Sequence, residues 1–258
     1  MSRLRRIESE AVAAARSFLR RRTAVFFTFF FPVILVVIFG VLVRTQPGGG
    51  GLFSRADAYY VPGYLATVVL FTPLSRVGSE IARHRDGHRF EKLATTPLTR
   101  GEWLFAHTLV NVGVIGAASL LILGLVVLST GAEIAVTPGL LLLVPFVLLA
   151  VVLFCGFGAI LGSVADSQDG VIAASNSIAL PLLFLSDTFV SGDLLPDWFS
   201  IVEFASPLTY FARGVRTLVY APAGGYAPPL GTYGNLAVLA ALSVGFFLVG
   251  AYAVPRSA

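Results

Sequence analysis

Six stretches of the chain run almost without charge, and polar residues gather in short blocks between them. A helix needs about 20 apolar residues to cross a ~30 Å hydrocarbon layer. Residues 23–43, 58–75, 104–129, 139–165, 171–190 and 235–254 approach or meet that length. The pattern predicts an all-α integral membrane protein of six transmembrane helices, forming one domain over 1–258. Ahead of the first span, Leu4, Ile7, Ala11, Ala14, Ala15, Phe18 and Leu19 recur at helical spacing, with arginines and glutamates between them. That spacing predicts an N-terminal amphipathic interfacial helix within 1–22. Between the fifth and sixth spans, 191–234 is amphipathic. It predicts short extracellular re-entrant helices with Trp198, Tyr210 and Tyr220 at headgroup depth, broken by Pro222, Gly224-Gly225 and Pro228-Pro229.

Composition agrees. Only 12% of residues are charged and 56% are hydrophobic, whereas soluble domains carry about 25% charged residues. The 18 cations include one lysine, Lys92, and they are unevenly placed. Arg3, Arg5, Arg6, Arg16, Arg20, Arg21 and Arg22 precede the first span. Arg76, Arg83, Arg85, Arg89, Lys92 and Arg100 follow the second, and Arg256 follows the last. Only Arg44, Arg55, Arg213 and Arg216 fall on the other side. The excess of positive charge inside predicts cytoplasmic termini in a multi-pass cell-membrane protein. Flanking arginines of this kind point to a lipid bilayer as partner and not to nucleic acid. The first apolar run is longer than a signal-peptide core, and no small-x-small site follows it, so a cleaved leader is not expected.

The spans offer little chemistry. A P-loop needs Gly-x-x-x-x-Gly-Lys-Ser/Thr, and Lys92 lies between Glu91 and Leu93, so no standard ATP site is expected in this chain. His84 and His88 stand at i and i+4. Arg85 follows His84 where a zinc protease has glutamate, which favours a solvated helix face and no metal. His107 is the one histidine in a span, too near a membrane face to serve an intramembrane serine protease. His107 and Asn111 share a helix face; they line a vestibule or bond each other at a helix interface. Together with Asn176 and Asp187 they are the candidates for a translocation path, although Asp187 reads first as a helix end at the outer water interface. Cys155 has no partner cysteine and reads as a small apolar residue. Gly158 and Gly162 form a Gly-x-x-x-Gly pair that favours close helix contact. No catalytic residue is expected.

One segment stands apart. Residues 80–100, within the 76–103 loop, hold Glu80, Arg83, His84, Arg85, Asp86, Gly87, His88, Arg89, Phe90, Glu91, Lys92, Leu93, Thr95, Thr96, Pro97, Thr99 and Arg100. Topology requires only positive charge, and leaves the three acids and the Thr-Thr-Pro turn unexplained. The segment resembles the coupling loop of type-2 ABC transporter permeases, with its acidic-glycine step, glutamate-x-leucine and threonine-proline turn. Ser191-Gly192, Pro196-Asp197-Trp198-Phe199 and Ser206-Pro207-Leu208-Thr209-Tyr210 resemble the outer segment of the same family, with Ser206 where asparagine is usual. Asp187 and Asp193 are more polar than that stretch normally is. Drug-efflux and polyketide-resistance permeases are the nearest in character.

The resemblance implies that residues 80–96 form a cytoplasmic coupling helix, in more than one piece, that docks on a separate ABC ATP-binding subunit. Two copies of that subunit would carry ATP and Mg, and this chain would bind no cofactor. Arg83, Arg85, Arg89, Glu91 and Lys92 would make polar contacts, Phe90 and Leu93 would anchor the apolar face, and Thr96-Pro97 would end the helix. A second permease chain, identical or different, would complete a dimer. A substrate path would lie between the two, lined by the second and fifth spans. The implied function is outward movement of an amphipathic or hydrophobic, drug-like compound by alternating access. A lipid or polysaccharide exporter of the same family, or a membrane enzyme or assembly protein that uses the loop as a scaffold, remains the alternative.

Overall fold

The structure, a computed structural model, describes residues 2–42, 55–131, 134, 137–189, 196–220 and 226–255. Arg44 and the glycine run after it, Val190 to Leu195 with the Ser191-Gly192 match and Asp193, the break at Pro222 and Gly224-Gly225, and Arg256 lie outside the described residues. Among the described residues there is no strand.

Helix α1 (Arg3–Arg20) begins at Ser2, whose hydroxyl accepts from the Arg5 amide at 3.4 Å. It ends at Arg21, where ψ of 76° leaves the helical region. Helix α2 (Arg22–Val36) continues through a π-helical stretch, Val37–Leu42. A 3₁₀ turn, Asp57–Tyr60, leads into α3 (Val61–Asp86), which has Pro62 in its first turn where a missing N–H costs nothing. Gly87 and the left-handed His88 (φ 51°) turn the chain into the short α4 (Arg89–Ala94). Helix α5 (Arg100–Thr130) opens on a capping box. The Thr99 hydroxyl accepts from the Glu102 amide at 3.2 Å, and the Glu102 carboxylate accepts from the Thr99 amide at 2.9 Å. Helix α6 (Leu143–Val164) follows a 3₁₀ turn at Pro138–Leu142, and α7 (Gln168–Phe184) is capped by Ser167. Two short helices, α8 (Ser200–Ala205) and α9 (Pro207–Val219), precede α10 (Gly231–Ala253).

Five of these elements, over Arg22–Leu42, Asp57–Asp86, Arg100–Thr130, Pro138–Val164 and Gly231–Ala253, are long and apolar enough to cross a membrane. Helix α7 has 17 residues, about 25 Å at 1.5 Å per residue, and falls just under the same measure. The second apolar stretch does not stop near Ser75. The helix runs past the apolar residues to Asp86, so about the first third of the expected loop is the end of α3.

The chain alternates between two ends. The near end carries α1, α4, the start of α5 and the end of α10; the far end carries α8 and α9. The most buried of the five is also the least apolar. The α3 region is the least apolar of the five, yet 72% of its apolar window is buried, against 17% for α2. A lipid-facing helix must be apolar all round, whereas a helix enclosed by others can carry small and polar residues. Helix α3 lies against α5, α6, α7 and α9, and Leu65, Val69, Leu70, Leu74, Val77 and Ile81 are fully buried. Glycine permits the closest approach. A Cβ at Gly162 would lie 2.5 Å from the Gly78 carbonyl oxygen, and one at Gly158 would run into the Leu74 carbonyl. The Gly-x-x-x-Gly pair is therefore the notch in α6 that receives α3. Cys155 beside it is buried and free.

Candidate functional site

The near end is held by charge pairs between elements distant in sequence. Arg6 clasps Glu102 with two bonds, Nη2 to Oε1 at 2.6 Å and Nε to Oε2 at 3.2 Å. Glu10 Oε1 lies 3.3 Å from His107 Nε2, and this bond holds the Glu10 carboxyl below its ordinary range. Glu80 gathers Arg21 at 3.5 Å, His84 at 3.3 Å, and Arg83. The rings of His84, Phe90, Trp103 and His107 pack in one cluster, with Trp103 and His107 centroids 4.0 Å apart. Helix α1 is thus tied to α3 and α5 as one body.

These contacts divide the candidate coupling residues. Glu80, Arg83 and Arg85 turn inward; Arg85 donates to the Ala165 carbonyl. Phe90 is 5% exposed and Leu93 half-buried, both against the chain's own core. Phe90 therefore fastens α4 to α3 and α5, where the resemblance implied an anchor for a partner. His84, expected on a solvated face, is 3% exposed, because Trp103 and Phe90 close over it. Outward go Asp86, Gly87, His88, Arg89, Glu91, Lys92, Thr96 and Pro97, all exposed. His88 Nδ1 lies 2.9 Å from Glu91 Oε1. The result is a short charged helix presented on a rigid base.

The candidate path residues fall in two places. His107 and Asn176 line one cavity of about 620 Å³, bounded by α1, α2, α3, α5 and α7. Asn111 is just behind it, donating to the His107 carbonyl at 2.9 Å and accepting from Arg76 at 3.4 Å. The His107 ring thus stands on a cavity wall, while the bond between the two residues stays within α5, from the Asn111 side chain to the His107 backbone carbonyl.

Asp187 is elsewhere. It lies at the far end with φ of 54° and is 6% exposed, so it is no water-facing helix end. Its Oδ2 accepts from Arg213 Nε at 3.0 Å and lies 3.2 Å from Arg216 Nη1, while Oδ1 accepts from the Tyr59 hydroxyl at 3.2 Å. Arg216 is fully buried. It donates to the carbonyls of Tyr59 (3.2 Å), Asp187 (2.6 Å) and Thr188 (3.3 Å) and to the Tyr226 hydroxyl (3.3 Å), with its guanidinium 3.9 Å over the Tyr59 ring. Glu203 Oε2 accepts from Arg213 at 2.8 Å, and burial pushes the Glu203 carboxyl upward. These arginines were counted as loop cations. Their i, i+3 spacing beside Leu208, Phe211, Val215 and Val219 was the signal that they share the buried side of α9. Of the outer motif, Pro196 and Trp198 are exposed, Pro207 starts α9, and Tyr210 donates to the Phe204 carbonyl at 2.7 Å.

The ABC-2 type transporter family model matches residues 11–220, most of the chain. The chain belongs to that family. It is 28% identical over 182 residues to the daunorubicin resistance ABC transporter permease protein DrrB1 of Streptomyces coeruleorubidus, a match covering 68% of this chain and 63% of that relative. With its apolar helices, the family makes this a multi-pass membrane protein.

Proposed function

We propose that the chain is the membrane permease subunit of an ATP-binding cassette exporter. The observation that carries this reading is the family match over 11–220 together with a charged α4 displayed on a rigid base. The named relative is a drug-resistance permease, which supports an amphipathic, drug-like cargo. In this reading α7 is the sixth span, the near end faces the cytosol, and the membrane is the cell membrane. ATP and Mg belong to two copies of a separate subunit. Asp86, Arg89, Glu91 and Lys92 form the polar contact surface for that subunit, with Gly87 and Thr96-Pro97 shaping its edges. Phe90 and Trp103 transmit its movement to α3 and α5. A second permease chain, the same or different, faces the first across a substrate path.

Co-purification with an ATP-binding subunit, and stimulation of its ATPase, test the reading. Arg89→Glu with Lys92→Glu is expected to abolish both while leaving the permease folded. Complex formation unaffected by this double change would sink the assignment of α4.

A further inference from the structure

The cavity between α1, α2, α3, α5 and α7 has an apolar body and a charged end. Phe18, Phe27, Phe31, Phe71 and Leu180 line the first, and Arg76, Ser79, Glu80, His107 and Asn176 the second. Its volume of about 620 Å³ falls within the ~300–1,000 Å³ typical of sites for drug-sized molecules, and so does this mixture of groups.

The charged end is not neutral. The Glu80 carboxylate is already shared by Arg21, Arg83 and His84, and His107 is engaged by Glu10. Arg76 differs. Its guanidinium carbon lies 4.0 Å over the Phe18 ring and one Nη donates to Asn111 at 3.4 Å. Unlike Arg6, Arg83, Arg213 and Arg216, it has no carboxylate within ion-pair distance among the described residues. A guanidinium has five donors in a planar fork suited to two oxygens, and most of those donors are unspent. The Ser79 hydroxyl, one helical turn on along the same wall, is buried with no partner among the described residues. A half-buried cation facing an apolar chamber calls for an anionic or strongly accepting group.

We propose that this cavity binds an aromatic amphiphile carrying an anionic group. The ring-bearing part lies among Phe27, Phe31 and Phe71, and the anion meets Arg76 and Ser79. Phenylalanine walls and a drug-sized volume favour a small aromatic acid over a two-chain lipid. The site deepens the exporter reading by naming a substrate class, but binding itself needs no ATP-binding subunit.

The test uses the full chain in phosphatidylcholine nanodiscs, with Trp198→Phe leaving Trp103 as the energy-transfer donor. The probes are pyrenebutyrate and a pyrenylbutyl-trimethylammonium of the same ring body. Saturable transfer is expected at about tenfold lower concentration for the anion. Arg76→Gln should erase that preference, Arg76→Lys should keep most of it, and Phe71→Ala should weaken both probes alike. Ala24→Phe, on the exposed rim, should block both probes and stands in if the Arg76 variants fail to fold. Equal binding of the two charges, a preference that survives Arg76→Gln, or binding untouched by Ala24→Phe would overturn the proposal. Displacement of pyrenebutyrate by added phosphatidylglycerol would make the occupant a lipid and overturn it too. Loss of ATPase coupling with charge-selective binding intact would count against the exporter reading alone.

Discussion

The far-end cluster and α4 are both built from arginine and carboxylate, yet they do opposite things with their charge. Around Arg216 the donors are consumed by Asp187, Tyr59, Thr188 and Tyr226, and the side chain is fully buried. On α4 the charged groups of Arg89, Glu91 and Lys92 are exposed. Charge turned inward is committed to one fold, since a buried ion that loses its partner is strongly destabilising. Charge turned outward adds little to stability and remains free for another molecule.

The largest expected effect follows from breaking the inward set. Arg216→Ala or Asp187→Ala should cost about 3–5 kcal/mol, read as a collapse of thermal stability in detergent. Arg216→Met with Asp187→Leu should recover a substantial part, because neither charge is then left alone. Should the singles melt like the wild type, the cluster is not structural. Phe90→Ala sharpens the line between the regions, as Phe90 sits in α4 but packs inward. The loss should be about 3 kcal/mol, seen in the permease without any partner; an effect confined to partner binding would return Phe90 to the docking surface.

A smaller effect belongs to Glu10. Its carboxyl is held below the ordinary range by His107, so its contribution is present above the normal glutamate range and is lost as pH falls through it. Glu10→Gln should lower stability by about 1 kcal/mol at neutral pH, and the melting curves of variant and wild type should converge once the pH is well below the ordinary glutamate range. Curves that stay parallel throughout would show that the pair carries no stability. Smallest of all, Arg89→Glu and Lys92→Glu should each shift stability by no more than about 0.5 kcal/mol, checked by the same melting measurement.

Five of the six expected spans were legible because length and apolarity alone define them, and α7 falls short on length. Their ends were less so. Gly78 lies within the stretch from Arg76 to Asp86 but is taken up by packing against α6, and α3 runs on to Asp86, where Gly87 and the left-handed His88 make the turn. The exposed part of the charged segment was legible from composition. The inward part was not, since the same residue types serve both uses and only the packing of Trp103 over His84 decides between them. The burial of Arg213 and Arg216 was missed for a related reason: counting cations by loop gives their side of the membrane but not which face of a short helix they occupy. Arg76 was read as a topological charge, and its situation depends on α1 folding back to place Phe18 beneath it.

Helix α3 touches both regions compared above. Tyr59, just before its start, belongs to the far cluster, and Glu80 and His84, in its last turns, belong to the near one. Its 26 residues make a rod of about 39 Å at 1.5 Å per residue. Midway, Pro73 interrupts the ladder of backbone bonds, and there the carbonyls of Pro73 and Leu74 rest in the groove that Gly158 leaves open. The rod therefore has a fulcrum. A tilt of about 10° around it would carry each tip of that rod some ~3 Å in opposite directions, so in the exporter reading a push at one end would be felt as a pull at the other.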